Sequence, residues 1–204
     1  MTPISRVVLA TGNRGKVRDF ERLLAGSGIE IVSATEEGIA IDVDETGTTF
    51  RENSLLKARA HAVRTKLPVL ADDSGIVVDA LYGAPGVISA RYAGAGHDDK
   101  ANNVKLLEAM AGVADRRAAF VVALALVLPD GEEIVTEGRC EGTIADSERG
   151  TNGFGYDAVF YREDLGRTFG ESTPEEKNMR SHRATAVHAL LGRLGERGLI
   201  ANRG

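Results

Sequence analysis

The stretch "LATGNRGKVRDFERLL", residues 9–24, decides the architecture. It leaves an apolar run, passes through a turn of small residues carrying one lysine, and then takes up a helical period. Val17, Phe20, Leu23 and Leu24 recur at the spacing that lines one helix face. With "RVVLA" (6–10) before it and Gly26 and Gly28 after it, the segment predicts a buried strand, a tight turn and a helix over 14–25. In such a turn, backbone N–H groups beside a helix N-terminus make an anion site. Thr11, Gly12, Asn13 and Gly15 offer donors and close approach, and Lys16 offers a point charge to a phosphate. The turn is not a Walker A loop. Gly12 and Gly15 stand too close together, and Val17 occupies the place of the magnesium-binding Ser/Thr. A metal, if used, must be held by carboxylates elsewhere. The competing interpretation is an ordinary strand–turn–helix with a surface lysine.

Working outward, "IEIVSA" (29–34) is a second strand, 35–49 a polar loop, and 50–65 a helix with Leu55, Leu56, Ala60 and Val63 as its apolar face. "PVLAD" (68–72) predicts a short strand, with extension resuming at 75–81 after a turn. The Gly-rich stretch 82–97 predicts loop, and 98–110 a helix with acidic residues where the dipole favours them. In the second half, 118–144 predicts two long strands joined at Pro129-Asp130-Gly131, a hairpin signal. "YDAVFY" (156–161) predicts a strand. A closing helix over 181–198 has Ser181 as cap and Val187, Leu190, Leu191 and Leu194 as its stripe. Strands alternating with helices, then a hairpin, give an α/β fold with a mixed, twisted sheet and flanking helices.

Composition sets limits. The chain has 204 residues, 43% apolar and 27% charged, with a net charge of −5. That suits one domain over 1–204 with an ample core. No Lys/Arg block is long enough for a nucleic-acid stripe, so no nucleic-acid partner is expected. Cys140 is the only cysteine, which excludes an internal disulfide and a Cys-cluster metal site. The first apolar run is too short for a signal or membrane segment, so a cytoplasmic, membrane-free protein is expected. Cys140 falls in a predicted strand and reads as packing.

Three further stretches carry chemistry. "LADDSG" (70–75) puts Asp72 and Asp73 at the end of an apolar run, where α/β sheets place their sites. One carboxylate can hold Mg²⁺ while the other takes a proton from water; a turn that merely reverses the chain is the alternative. "DETG" (44–47) supplies Glu45 as a possible completion of the magnesium site, or else is a solvated loop. "GTNGFGYD" (150–157) offers Phe154 for stacking on a base and Asp157 for hydrogen bonding, unless its aromatics fill the core. "EKNMRSHRATA" (176–186) sets Lys177 before a helix start and His182 and Arg183 in its first turn. Cations there oppose the dipole, which hints at an anionic or keto-bearing ligand; exposed surface residues are the alternative. His182 has no suitably spaced second ligand for a metal.

Taken together, "TGNRGK", "FRENSLLKARA", "LADDSGIVVDALYGAPGVISARYAG", "GFGYD" and "EK…SHR", in that order over about residues 6–194, resemble the house-cleaning inosine triphosphate pyrophosphatase family (Ham1/RdgB-like). The resemblance implies two lobes around a nucleotide cleft and a homodimer. It implies hydrolysis of abnormal purine nucleoside triphosphates (ITP, dITP, XTP) to monophosphate and pyrophosphate with Mg²⁺. Carried over by position, Thr11, Gly12, Asn13, Arg14, Gly15 and Lys16 hold the triphosphate, with Lys57 as a further phosphate-side cation. Asp73 is the general base beside Asp72, Glu45 and Asp73 are the leading magnesium ligands with Asp72 as a further one, and Ser74 touches substrate. Phe154, Gly155, Tyr156, Asp157, Lys177, His182 and Arg183 form the nucleoside and base end. A pyrophosphatase for other nucleotides, or a nucleotide sensor without turnover, are the competing classes; crowded carboxylates speak against the sensor.

Overall fold

The computed structural model describes residues 3–200. Twelve elements follow in order: β1 (Arg6–Leu9), α1 (Arg14–Leu24), β2 (Glu30–Ser33), α2 (Phe50–Ala62), β3 (Val69–Val78), α3 (Asp99–Ala109), β4 (Arg117–Val127), β5 (Glu133–Ile144), β6 (Phe160–Arg162), β7 (Arg167–Thr168), α4 (Pro174–Asn178) and α5 (His182–Glu196). The strands form a seven-stranded sheet in the order β2-β1-β3-β4-β5-β6-β7. β1 pairs in parallel with β2 and β3, while β5–β6 and β6–β7 are antiparallel, so the sheet is mixed. The turn between β4 and β5 closes through Leu128 N–H to Glu132 O at 2.8 Å, at the expected Pro-Asp-Gly.

The chain divides into two compact units interleaved along the sequence. The first comprises 1–73, 122–138 and 183–204; the second comprises 74–121 and 139–182. In the first unit, strand alternation sorts the core into two clusters. Val7, Leu9 and Leu70 pack with Phe20 and Leu24 of α1 and with Val187, Leu190 and Leu194 of α5. Val8, Ala10, Val69 and Ala71 pack with Ala58 of α2. Successive strand side chains point to opposite faces, so α1 and α5 cover one face and α2 the other. In the second unit, Ile76, Val78, Leu106, Met110, Phe120, Phe160 and Phe169 make a separate core.

Several expectations are corrected. β3 does not stop at the acidic residues; it runs unbroken for 10 residues through Asp72, Asp73 and Ser74. Its carboxylates meet cations on the faces, so no excursion to solvent is needed. Gly75 lies within that strand, and a side chain there is excluded because a Cβ would lie 2.3 Å from Ser89 Oγ and 2.5 Å from Gly86 O. α2 buries Asn53, Ser54, Ala58 and His61; of the expected apolar face, Leu55 is partly buried against the core, while Val63 is 85% exposed. The stretch 156–159 is a turn, with Val159 N–H and Phe160 N–H donating to Tyr156 O, and β6 begins only at Phe160. Lys177 precedes the closing helix as expected, but lies within a short helix of its own, α4. The stretch 82–97, expected as loop, contains a 3₁₀ turn over Gly86–Arg91.

Candidate active site

Asp72 and Asp73 are adjacent in β3, so the strand period sends them to opposite faces. Asp72 shares parity with Leu70 and faces α1 and α5. Its Oδ1 accepts from Lys16 Nζ at 3.0 Å and its Oδ2 from Arg183 Nε at 3.3 Å. Arg183 also stands 3.6 Å from Asp19 of α1. Burial pushes the Asp72 carboxyl up, but the surrounding Lys16, Arg183 and Lys57 outweigh it and hold it far below the usual carboxylate range. Burial draws the Lys16 ammonium below its ordinary value, even with Asp72 beside it.

Asp73 shares parity with Val69 and Ala71 and faces α2. Its Oδ2 accepts from Asn53 Nδ2 at 3.2 Å, and its Oδ1 from Lys57 Nζ at 3.1 Å. Lys57 also donates to Glu45 Oε1 at 2.8 Å. Burial raises the Asp73 carboxyl above its ordinary value, and nearby Glu45 adds to the rise while Lys57 opposes it. Burial acts to lower the Lys57 ammonium, but Asp73, Asp72 and Glu45 together raise it. The two carboxylates make different direct contacts, Asp72 with Lys16 and Arg183 and Asp73 with Asn53 and Lys57, while Lys57 acts electrostatically on both.

The α2 face that looked wrong for a core is the one that builds this cluster. Asn53 and Lys57 are one turn apart and so share a face. A capping box fixes where the helix starts: Thr49 Oγ1 accepts from Glu52 N–H at 3.1 Å, and Glu52 Oε2 accepts from Thr48 and Thr49 N–H. Asn53 Oδ1 accepts from Gly47 N–H at 2.8 Å, so one amide joins the Glu45-bearing loop to Asp73. Gly47 is required there, since a Cβ would lie 2.6 Å from Asn53 Oδ1 and 2.7 Å from Glu52 Cβ. Sequence reasoning missed Asn53. The signal that could have found it is a buried-face asparagine one turn before Lys57.

The opening turn is formed as expected, with one difference. Asn13 caps α1: its Oδ1 accepts from Gly15 N–H at 2.8 Å and Lys16 N–H at 3.2 Å. The helix N–H groups expected to cradle an anion are thus engaged by Asn13 itself. Thr11 Oγ1 accepts from Asn13 N–H at 3.2 Å. Gly12 has no left-handed φ, and a Cβ on it would meet nothing within 4 Å. The chain itself does not demand glycine there, which fits close approach by a ligand. Arg14 is the first residue of α1.

In the second unit, Asp157 Oδ2 accepts from Lys177 Nζ at 2.5 Å and from Phe154 N–H at 2.8 Å. Lys177 Nζ also stands over the Phe154 ring, 4.6 Å from its centroid. Gly155 N–H donates to Asp99 Oδ2 at 2.7 Å, and Gly155 O accepts from Asn103 Nδ2 at 3.2 Å, so α3 holds the loop. Tyr156 is buried and donates its hydroxyl to Ser89 O at 2.7 Å, which makes it a core residue rather than a surface contact. His182 stacks on Phe120, ring centroids 5.0 Å apart. Ser74 continues β3. Cys140 is buried, and burial pushes its thiol up to about 11, in keeping with a packing role.

Among the described residues, no group of three or more His, Cys, Asp or Glu side chains is placed to hold a metal. Magnesium does not need one; it is commonly held by one or two carboxylates together with substrate phosphates. Glu45 and Asp73 supply two hard oxygen donors that converge on one point, so the residues fit that mode. No helix among the described residues is long and apolar enough to cross a membrane.

An α/β protein with a mixed sheet, an Asn-capped strand–turn–helix after its first strand and a carboxylate–lysine cluster on the interior strand β3 defines a narrow class. The Ham1 family model matches residues 7–193, and the chain belongs to that family. It is 51% identical over 189 residues to the dITP/XTP pyrophosphatase of Geobacillus kaustophilus, covering 92% of this chain and 93% of that one. It is 50% identical over 197 residues to the enzyme of the same name from Burkholderia pseudomallei, covering 94% of each. The structure of the Staphylococcus aureus Ham1 protein superposes with a TM-score of 0.84 at 41% identity, covering 94% of this chain and 99% of that one.

Proposed function

We propose that this chain is a nucleoside triphosphate pyrophosphatase that hydrolyses abnormal purine nucleotides (ITP, dITP and XTP) to the monophosphate and pyrophosphate. The observation that carries this is the Glu45–Lys57–Asp73–Asn53 cluster: a buried carboxyl raised above its ordinary value, beside a second carboxylate and an ammonium. The names carried by its relatives support the same chemistry.

Asp73 acts as general base, taking the proton of a water directed at the α-phosphorus. A raised carboxyl is the better proton acceptor, and general-base help is worth about 10²–10⁴ in rate. Asn53 donates to Asp73 Oδ2 and Lys57 to Oδ1, which fixes the orientation of the carboxylate. Lys57 and Lys16 offset charge as pyrophosphate leaves. Glu45 and Asp73 would hold Mg²⁺, which supplies charge neutralisation and orientation of the triphosphate when bound. Thr11, Gly12, Asn13, Arg14 and Gly15 approach the phosphates through the turn, and Ser74 touches substrate.

For the nucleoside end we assign Phe154, Gly155, Asp157, Lys177, His182 and Arg183. A 6-keto oxygen accepts from such donors, whereas an adenine amino group facing them costs roughly 1–3 kcal/mol per unpaired group. The five-donor fork of Arg183 can hold carboxylates and also serve a keto oxygen. We also propose a homodimer and a cytoplasmic location. The test is a turnover panel of ITP, XTP, GTP, ATP and CTP with Mg²⁺, resolving pyrophosphate from orthophosphate. Pyrophosphate from ITP and XTP alone is the expected result. Orthophosphate would move the attack to another phosphorus, and binding without turnover would make the protein a sensor.

A further inference from the structure

The two carboxylates proposed as metal ligands already hold a cation that belongs to the chain. Lys57 Nζ lies 2.8 Å from Glu45 Oε1 and 3.1 Å from Asp73 Oδ1. All three side chains are largely buried: 13% exposed for Lys57, 27% for Glu45 and 8% for Asp73. A metal held by these two groups would take the same two oxygens that Lys57 engages, so the ion and the ammonium compete for them, and Lys57 would give them up for the metal to bind. Its stem is flexible and rises from a helix anchored by its own capping box, so the ammonium can move while α2 stays.

Leaving the carboxylates takes the ammonium out of a buried double ion pair, which is costly without a new anion. A bare divalent ion brings none; a triphosphate does. We infer that Lys57 is a resident stand-in for the metal, so that the species the site accepts is the metal–triphosphate complex and not the metal followed by the nucleotide. This rests on the pyrophosphatase reading and deepens it. Lys57 then has two positions: on Glu45 and Asp73 before substrate, and on the phosphates after.

Metal binding tests this without turnover. Mn²⁺ is titrated by electron paramagnetic resonance into the wild-type chain alone, and then with the non-hydrolysable α,β-imido analogue of ITP. The wild type should hold Mn²⁺ poorly alone and well with the analogue. Lys57→Met should hold Mn²⁺ alone at least about tenfold more tightly than wild type, since an opposing buried cation has gone. Its melting temperature should rise on adding Mn²⁺ alone, while that of the wild type should not. Lys57→Arg keeps the charge and should exclude Mn²⁺ as the wild type does. Unchanged Mn²⁺ affinity in folded Lys57→Met, or a wild type that binds Mn²⁺ equally with and without nucleotide, would overturn the inference and leave the pyrophosphatase reading intact. Failure of any of these proteins to hold Mn²⁺ even with the analogue would overturn both. Should Lys57→Met not fold, Lys57→Gln and the wild-type comparison decide.

Discussion

At the scale of the residue, Asp73 is a carboxyl group the fold holds at a cost. Its value in the folded chain is raised, so the folded state is stabilised by the proton below the ordinary carboxylate value and loses that stability as the pH rises through the raised one. Asp73→Asn removes this dependence. The variant should melt higher than wild type near neutral pH, with the gap closing as the pH falls below about 4, and differential scanning calorimetry across pH checks it. The same substitution should cut kcat on ITP by about 10²–10⁴ with nucleotide affinity largely kept. Near-normal turnover would remove Asp73 as the base. Gly12 makes the opposite demand. Since a Cβ there meets nothing, Gly12→Ala should leave the melting temperature unchanged and raise KM for the triphosphate.

At the scale of the element, β3 is the piece on which two charged systems are hung. The Asp72 side ties α1 and α5 to the strand through Lys16 and Arg183. Removing the charge takes the carboxylate from largely buried Lys16 and from Arg183, the latter keeping Asp19, so Asp72→Asn should cost about 3–5 kcal/mol, measured by urea denaturation. The Asp72 value in the fold is depressed, so its contribution is present above the ordinary carboxylate value and is lost as the pH falls toward the depressed one. Acid unfolding of the wild type should therefore be steep well below pH 4, and shallower in Asp72→Asn. α2 gives the complementary prediction. Its buried face mixes Asn53, Ser54 and His61 with Ala58, and Val63 lies outside the packing, so Val63→Lys should change stability by no more than about 0.5 kcal/mol.

At the scale of the whole molecule, neither compact unit is a continuous piece of chain. β3, β4 and β5 each begin in one unit and end in the other. A break in any of these strands is a break in both units. Thermal unfolding followed by far-UV circular dichroism and by tyrosine absorbance should therefore give one coincident transition, and limited proteolysis should yield no stable half.

The sequence by itself determined the mixed α/β class, the first strand–turn–helix, the hairpin at Pro129-Asp130-Gly131 and the stripe of α5. These are set by local periodicity and turn chemistry, which a short window contains. It also marked Asp73, because carboxylates at the end of an apolar run stand out, and Glu45 in an acidic loop; Lys57 is implied only by the family resemblance. Tertiary structure alone decided that β3 continues through its aspartates, since the cations that make this tolerable come from α1, α2 and α5, far away in the chain. It alone decided that Asp72 and Asp73 part company, since the period of two becomes visible only once the strand is known to be unbroken. It alone revealed Asn53, and the polar burial of α2 that an apolar-face search rejects. Periodicity measures the preference of a face for hydrocarbon; a helix that delivers polar groups to a buried site is chosen by partners the local sequence does not contain.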